Sequence, residues 1–197
     1  MKVFKTDFSS LEGTNCYCDP DSAAEIRRRI REVPLHAVHM TGTGDYHYVS
    51  LFYLERIAEP FALVLFDNHP DDQQTAFGGD LLSCGGWVGT ARSLPLMRAD
   101  AWFNGVRTPE PLPDGLPVYL SVDLDVLSEQ YAMTNWDQGP MSLDSLCTQI
   151  REILRCHPLL GVDICGGITL EKGASPADLA LNARAEETLC KLFEQYA

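Results

Sequence analysis

One segment of this sequence combines residue types that bind divalent metals with a spacing that brings them together. FDNHPDD places Asp67, His69 and Asp71 at alternate positions, directly after the apolar run 61–66. Alternate side chains of an extended chain point to the same side, so we expect these three to face one point. Taken alone, the segment is equally well explained as a polar turn, so its meaning depends on what lies nearby.

Two further polar segments end apolar runs in the same way. SVDLDVL carries Asp123 and Asp125 after the run 118–122, and TGTGDYHYVS carries His47 after the run 35–40. In an open parallel sheet, ligands bind beyond the carboxyl ends of the strands. If the three runs are strands of one sheet, the three segments converge on one site.

A group of carboxylates at such a site requires a cation, because crowded like charges repel and are costly to bury unpaired. The predicted metal ligands are His47, Asp67, His69, Asp71, Asp123 and Asp125. This set exceeds the needs of one tetrahedral zinc with an open position. It suits two cations with bridging carboxylates. Oxygen-rich ligation favours two Mn²⁺, with Zn²⁺, Fe²⁺ or Co²⁺ as alternatives.

The elements that must position these residues alternate along the chain. The predicted strands are 3–7, 35–40, 61–66, 101–106, 118–122 and 159–164. The predicted helices are 22–32, opened by Asp21 or Ser22, then 48–58, 142–156, capped by Ser142, and 176–196, opened by Ser175 and Pro176. This alternation predicts an α/β fold with a parallel sheet and helices on both faces. No linker or repeat interrupts it, so we expect a single domain over residues 1–197.

The composition excludes several classes of protein. The formal net charge is −13, which argues against nucleic acid and anionic membranes as partners, since both require a basic face. No apolar run approaches the length of a membrane span. The N-terminus lacks a signal-peptide pattern, so we expect a cytoplasmic protein. The seven cysteines include no CxxC pair, which argues against a structural zinc knuckle.

In these motifs and their order, the sequence resembles the arginase and agmatinase family, the ureohydrolases. GTGDYHYVS, FDNHPDD and SVDLDVL are similar to that family's three metal-binding segments, and the resemblance runs from about residue 35 to the end. It implies a three-layer α/β/α fold and a hydroxide between two metal ions as the nucleophile. It also implies a division of ligands. One ion takes His47, Asp67, Asp71 and Asp123, and the other takes Asp67, His69, Asp123 and Asp125.

The sequence departs from the family at three positions that shape the chemistry. Tyr46 is inserted between the aspartate and the histidine of the first segment. GGDLLSCGGW, residues 78–87, carries Cys84 where the family has a proton-shuttling histidine, so we predict Cys84 and Asp71 as catalytic residues. Gly166 stands where the family has the glutamate that anchors a guanidinium group. We therefore expect a substrate other than arginine or agmatine.

These features predict a dinuclear metal-dependent hydrolase that attacks the carbon of a guanidino, amidino or amide group in a small-molecule substrate. Two alternatives share the fold. One is a single-zinc amidohydrolase of the histone-deacetylase type, although the sequence lacks the adjacent histidine pair expected there. The other is a non-catalytic scaffold that keeps its metals, which the missing histidine and glutamate favour. The resemblance also leaves a homo-oligomer open, since ureohydrolases often assemble as trimers or hexamers.

Overall fold

A parallel sheet forms the centre of the computed structural model, which describes residues 1–74 and 81–196. In that part of the chain the strands are β1 (Val3–Lys5), β2 (Tyr17–Cys18), β3 (Val38–Gly42), β4 (Phe61–Phe66), β5 (Leu82–Ser83), β6 (Met97–Phe103), β7 (Val118–Asp123) and β8 (Leu159–Cys165). Six of them form the parallel sheet in the order β1-β3-β8-β7-β4-β6, and β2 pairs with β5 in an antiparallel ribbon. The last strand of the chain therefore lies between β3 and β7.

Helices cover both faces of this sheet. They are α1 (Pro20–Ile30), α2 (Val49–Leu54), α3 (Trp87–Ala91), α4 (Leu143–Cys156) and α5 (Pro176–Glu194). The first three pack on one face and the last two on the other. The predicted three-layer α/β/α fold is confirmed. None of the described helices is both long and apolar enough to span a membrane.

Each face of the sheet has its own apolar core, and the side chains of the buried strands point alternately to one core and to the other. In β4, Leu63 and Leu65 point to the core shared with α1, α2 and α3. Val64 and Phe66 point to the core shared with α4 and α5. Every residue of β4 and of β7 is buried, as expected for central strands of a covered parallel sheet. This double covering leaves the strand ends as the place where polar side chains gather.

The predicted N-terminal caps are correct for two of three helices, α4 and α5. Ser142 caps α4, and Ser175 forms a full capping box at the start of α5. The prediction of Asp21 or Ser22 as the cap of α1 is wrong. Asp19 occupies that position and accepts a hydrogen bond from the backbone N–H of Ser22, because Pro20 is the first residue of the helix.

Several predicted boundaries also differ from the structure. Strand β3 begins at Val38, so His36 precedes it and lies exposed, with its ring nitrogens near the backbone oxygens of Leu159 and Tyr196. Strand β6 begins at Met97, earlier than expected, and α2 ends at Leu54. The short elements β2, β5 and α3 were not predicted, because they are too brief to show a period in the sequence. Residues 78–80 of the segment GGDLLSCGGW lie outside the described residues.

Candidate metal centre

The carboxyl ends of β3, β4 and β7 bring four of the predicted ligands to one point. Nδ1 of His47 lies 3.0 Å from Oδ2 of Asp67 and 3.6 Å from Oδ2 of Asp123. Oδ2 of Asp71 lies 3.0 Å from the same nitrogen. All four side chains are buried. A single imidazole nitrogen thus faces three carboxylates in the interior of the protein.

A second group lies beside the first and shares Asp67 with it. Nδ1 of His69 is 2.9 Å from Oδ2 of Asp125 and 3.4 Å from Oδ1 of Asp67. In each group, His47–Asp67–Asp71 and Asp67–His69–Asp125, the ligand atoms lie within 4.8 Å of one another. Asp67 turns one oxygen toward each group, which is the arrangement that a carboxylate bridging two ions requires. The structure therefore brings all six predicted ligands together.

The backbone reaches this arrangement differently from the extended segments that the spacing suggested. Asp71 has a φ of +46°, so a left-handed residue, not strand alternation, turns its carboxylate toward the site. Asp125 lies in a short 3₁₀ turn, 124–126, and its backbone N–H donates to Oδ1 of Asp123. The inserted Tyr46 is accommodated by a 3₁₀ turn, 44–46, which delivers His47 to the cluster.

A buried hydrogen-bond relay fixes the orientation of the His47 ring. Its Nε2 lies 2.8 Å from Oγ of Ser121, and Ser121 donates in turn to Oδ2 of Asp163 at 2.9 Å. Ser50 donates to the same carboxylate oxygen at 2.8 Å. A proton on Nε2 leaves Nδ1 free to bind an ion, and such outer contacts orient ligating histidines in metalloproteins. The sequence patterns did not indicate this relay, because its members come from four separate elements.

The charges of the cluster fit a divalent cation. Burial, reinforced by the neighbouring carboxylates of Asp125 and Asp67, raises the pKa of Asp123. Burial and the charge of Asp67 likewise raise the pKa of Asp125. Hydrogen bonds to Asp125 and Asp67 raise the pKa of His69 to about 11. Bound protons thus offset the negative charge of these carboxylates when no metal is bound. Divalent ions can replace those protons and offset the same charge, and carboxylates and imidazoles are suitable donors for such ions.

A further potential ligand comes from the strand between β3 and β7. Cys165, the last residue of β8, donates from Sγ to Oδ2 of Asp123 at 3.1 Å. With His47 and Asp123 it forms a third group whose ligand atoms lie within 4.8 Å of one another. The sequence patterns did not indicate it. A lone cysteine in an apolar run carries no signal, and only the pairing of Cys165 with Asp123 across the sheet reveals it.

The three tryptophans of the chain all contact the centre. Trp87 donates from Nε1 to Oδ2 of Asp71 at 2.7 Å, and Trp102 donates to the backbone oxygen of Asp67 at 2.8 Å. Trp136 is partly exposed and lines the cavity above the ligands. The indoles of Trp87 and Trp102 therefore hold a ligand carboxylate and a ligand-bearing backbone in place, a role that their positions in the sequence did not indicate.

A cavity of about 150 Å³ opens onto the predicted ligands. Cys84, predicted as catalytic, lines it together with Cys16, and the backbone N–H of Cys84 donates to the backbone oxygen of Cys16 at 2.9 Å. Burial, then the neighbouring Cys16 thiol and the carboxylate of Asp71, raise the pKa of Cys84 to about 12. The raised pKa favours the protonated thiol of Cys84 over the thiolate.

Asp45 lies in the same segment after β3 as the predicted ligand His47, but it serves another purpose. Its buried Oδ1 accepts from Nδ2 of Asn135 at 2.9 Å and from Nε1 of Trp136 at 3.0 Å. Its Oδ2 lies 2.7 Å from Nζ of Lys172. Asp45 thus ties the cavity rim to the loop after β8 and takes no part in the groups of ligand atoms.

No side chain fits at the position where the resemblance places a guanidinium-anchoring glutamate. Gly166 has a φ of +105°, and a Cβ atom built there would lie 2.1 Å from Oδ1 of Asp123 and 2.7 Å from the backbone nitrogen of Leu124. The close approach of this backbone to Asp123 is therefore possible only with glycine.

Comparisons with known proteins agree with this architecture. Over 172 residues the chain is 31% identical to an uncharacterized protein of Thermotoga maritima. The matched region spans 79% of this chain and 68% of that protein. Proclavaminate amidino hydrolase from Streptomyces clavuligerus is a similar structure, with a TM-score of 0.65 and 18% identity over 89% of this chain and 69% of that one. An arginase from Medicago truncatula has a TM-score of 0.65 and 14% identity over 90% of this chain and 66% of that one. No family model matches the chain.

Proposed function

Since this chain belongs to one family with the Thermotoga maritima protein and has the fold of the arginases, we propose that it is a metal-dependent hydrolase of carbon–nitrogen bonds with a dinuclear centre. The observation that carries the proposal is the convergence of six buried or half-buried ligands in two groups that share Asp67. Apolar side chains at these positions would stabilise the interior more than this buried charged cluster does. The presence of the cluster at the floor of a cavity therefore favours a chemical role.

The residues around the cavity have separate tasks in this reaction. A pair of divalent ions, when bound, lowers the pKa of a water molecule and polarises the bond under attack. Ser121 holds His47 in the tautomer that leaves Nδ1 free, and Trp87 fixes Asp71. Cys84 is the candidate proton donor to the leaving nitrogen, because it lines the cavity beside the ligands, and solvent returns the proton to Sγ after each turnover.

The shape of the cavity limits the substrate class. At about 150 Å³, it takes the reacting end of a small molecule, a planar amidino, guanidino or amide group. The rest of the substrate lies against Tyr17 and Trp136, which are 46% and 41% exposed at the rim. Because Gly166 leaves no space for a carboxylate opposite the ions, the free guanidinium of arginine or agmatine lacks its anchor.

A substrate screen with the metal-loaded protein tests this function. The protein is incubated with Mn²⁺, Zn²⁺ or Co²⁺ and with guanidino, ureido, formimidoyl and amide compounds, and the release of urea, ammonia or formamide is measured. We expect at least one compound outside arginine and agmatine to be hydrolysed by the native chain and not by Asp123→Asn. Hydrolysis that persists in Asp123→Asn, or that prefers arginine, would contradict the proposal.

The non-catalytic scaffold is the second candidate, and the raised pKa of Cys84 favours it, because a thiol with a raised pKa is a weak acid that gives up its proton poorly. The same screen separates the two. A scaffold binds the metals and shows no turnover with any compound, whereas the hydrolase loses its turnover together with its metals.

A further inference from the structure

We propose that Cys165 is itself a metal ligand and that the two ions of the centre therefore differ. The ion beside His47 binds nitrogen, oxygen and sulfur, and it is a thiophilic ion such as Zn²⁺, Co²⁺ or Fe²⁺. The ion beside His69 binds nitrogen and oxygen alone. This inference rests on the dinuclear centre of the proposed function and adds to it a ligand and a metal preference.

The distances around Cys165 are those of donors that share one ion. Its Sγ lies 3.1 Å from Oδ2 of Asp123, and this oxygen lies 3.6 Å from Nδ1 of His47. The three ligand atoms lie within 4.8 Å of one another. An ion bound at about 2.3 Å from sulfur and about 2.0 Å from nitrogen and oxygen separates its ligand atoms by roughly 3 to 4 Å. A bound ion thus requires only small movements of these side chains.

The order and register of the strands determine where the side chain of Cys165 lies. In β8 the side chains of Asp163 and Cys165 point to the same side, because they are two residues apart. Asp163 anchors Ser121 beneath His47, and Cys165 lies opposite Asp123 in the register of β7 and β8. Since β8 lies between β3 and β7, the thiol occupies the gap between His47 and Asp123. A cysteine that merely filled a core would be surrounded by apolar side chains instead.

The thiol belongs to one side of the centre only. Among the described residues, the group that contains His69 consists of Asp67, His69 and Asp125 and includes no sulfur. Cys16 and Cys84 line the cavity, yet within residues 1–74 and 81–196 neither joins a group of three closely spaced ligand atoms. The asymmetry is therefore built into the positions of the side chains.

Ligation by Cys165 is an acid–base step with no change of oxidation state. The hydrated divalent ion forms a bond to Sγ, the S–H bond breaks, and the proton leaves to solvent, as is usual when thiols bind metals. The thiolate ligand selects softer ions over Mn²⁺, whose preferred donors are oxygen atoms. The oxygen-rich group around His69 retains the preference for Mn²⁺.

A titration of the metal-free protein with Co²⁺ tests the assignment without measuring activity. A Co²⁺–thiolate bond gives an intense charge-transfer absorption in the near ultraviolet, whereas oxygen and nitrogen ligands give only weak visible bands. We expect two equivalents of Co²⁺ to bind and the charge-transfer band to grow with only one of them. In Cys165→Ser the band disappears, and Zn²⁺ affinity falls by about tenfold or more relative to Mn²⁺ affinity. Cys147→Ser, which removes a buried thiol outside the centre, retains both.

The possible results separate this inference from the proposed function. Co²⁺ bound in two equivalents without a charge-transfer band overturns the role of Cys165 and leaves the dinuclear centre intact. A band that is lost in Cys16→Ser or Cys84→Ser and kept in Cys165→Ser also overturns it. Absence of Co²⁺ binding overturns both. If Cys165→Ser does not fold, X-ray absorption of the native protein loaded with one equivalent of Zn²⁺ decides, since a sulfur ligand at about 2.3 Å supports the assignment and its absence contradicts it.

Discussion

Nε1 of Trp87 donates a 2.7 Å hydrogen bond to the carboxylate oxygen of Asp71 that also faces Nδ1 of His47. The indole is fully buried and belongs to the first turn of α3, so the helix that covers this side of the sheet also positions a candidate ligand. A contact of this kind is strong because its acceptor is charged, and it restricts the carboxylate to one orientation.

Trp87→Phe is expected to weaken metal binding while the fold persists. The phenyl ring retains most of the buried surface, but Asp71 loses the donor that orients it, so metal affinity falls by about tenfold or more. Isothermal titration calorimetry with Mn²⁺ and Zn²⁺ measures the change. Trp102→Phe is the comparison variant, for which a smaller loss is expected, because its indole donates to the backbone oxygen of Asp67 and not to a carboxylate oxygen of the centre. An equal loss of affinity in both variants would contradict the role given to Trp87.

A methyl group at Gly166 is expected to disrupt the centre. In Gly166→Ala, strain at positive φ adds to the clash with Asp123, and the expected loss of unfolding free energy is about 3 kcal/mol or more. Gly173→Ala has a similar φ of +94° and nothing within 4 Å, so it reports the backbone strain alone, about 1 kcal/mol. Urea denaturation of both variants gives the difference. Equal stabilities would show that the chain moves away from Asp123 at little cost.

The sequence was sufficient for the framework and for the residues that gather at the candidate metal centre, but not for the contacts that support them. Apolar runs located the strands of the sheet within a few residues, and polar segments at their carboxyl ends identified the predicted ligands, because both depend on neighbours in the chain. Cys165, Trp87 and Ser121 could not be identified in this way. Their roles depend on which strands lie side by side and on a five-residue helix, α3, that local periodicity does not reveal. The φ of Asp71 likewise results from tertiary contacts.

The buried imidazole of His39 is expected to make the fold sensitive to mild acid. It stacks on Tyr53 with ring centroids 3.9 Å apart, and burial lowers its pKa from 6.5 to about 4. Because the folded protein resists protonation that the unfolded chain accepts, stability is complete above about pH 6.5. It declines as the pH falls toward 4, by about 2 kcal/mol at pH 5.

Denaturation of His39→Gln between pH 7 and pH 5 tests this linkage. The variant is less stable at pH 7, since it loses the stacking, but we expect its stability to change by about 2 kcal/mol less over this interval. His36→Gln, which alters an exposed imidazole, is expected to follow the native protein. A native-like decline in His39→Gln would assign the acid sensitivity to other groups.

Cys84→Ala is expected to reduce turnover of an identified substrate by about a hundredfold or more, the usual contribution of a positioned proton donor. The thiol contributes through kcat, because it transfers a proton and does not bind the substrate, so KM changes little. Steady-state kinetics with Cys84→Ala and Cys84→Ser measure the effect, and Cys147→Ser controls for the removal of a buried thiol. Unchanged kcat in Cys84→Ala would remove this residue from the reaction.

One buried carboxylate, that of Asp45, joins parts of the chain that are far apart in sequence. Asn135 and Trp136 approach it from one loop and Lys172 from another, and all three reach the same side chain next to the cavity rim. Asp45 therefore links the cavity rim at Trp136 to Lys172 in the loop after β8. Lys172 does not line the cavity itself, so a substitution at this partly exposed position is expected to reach the rim only through Asp45.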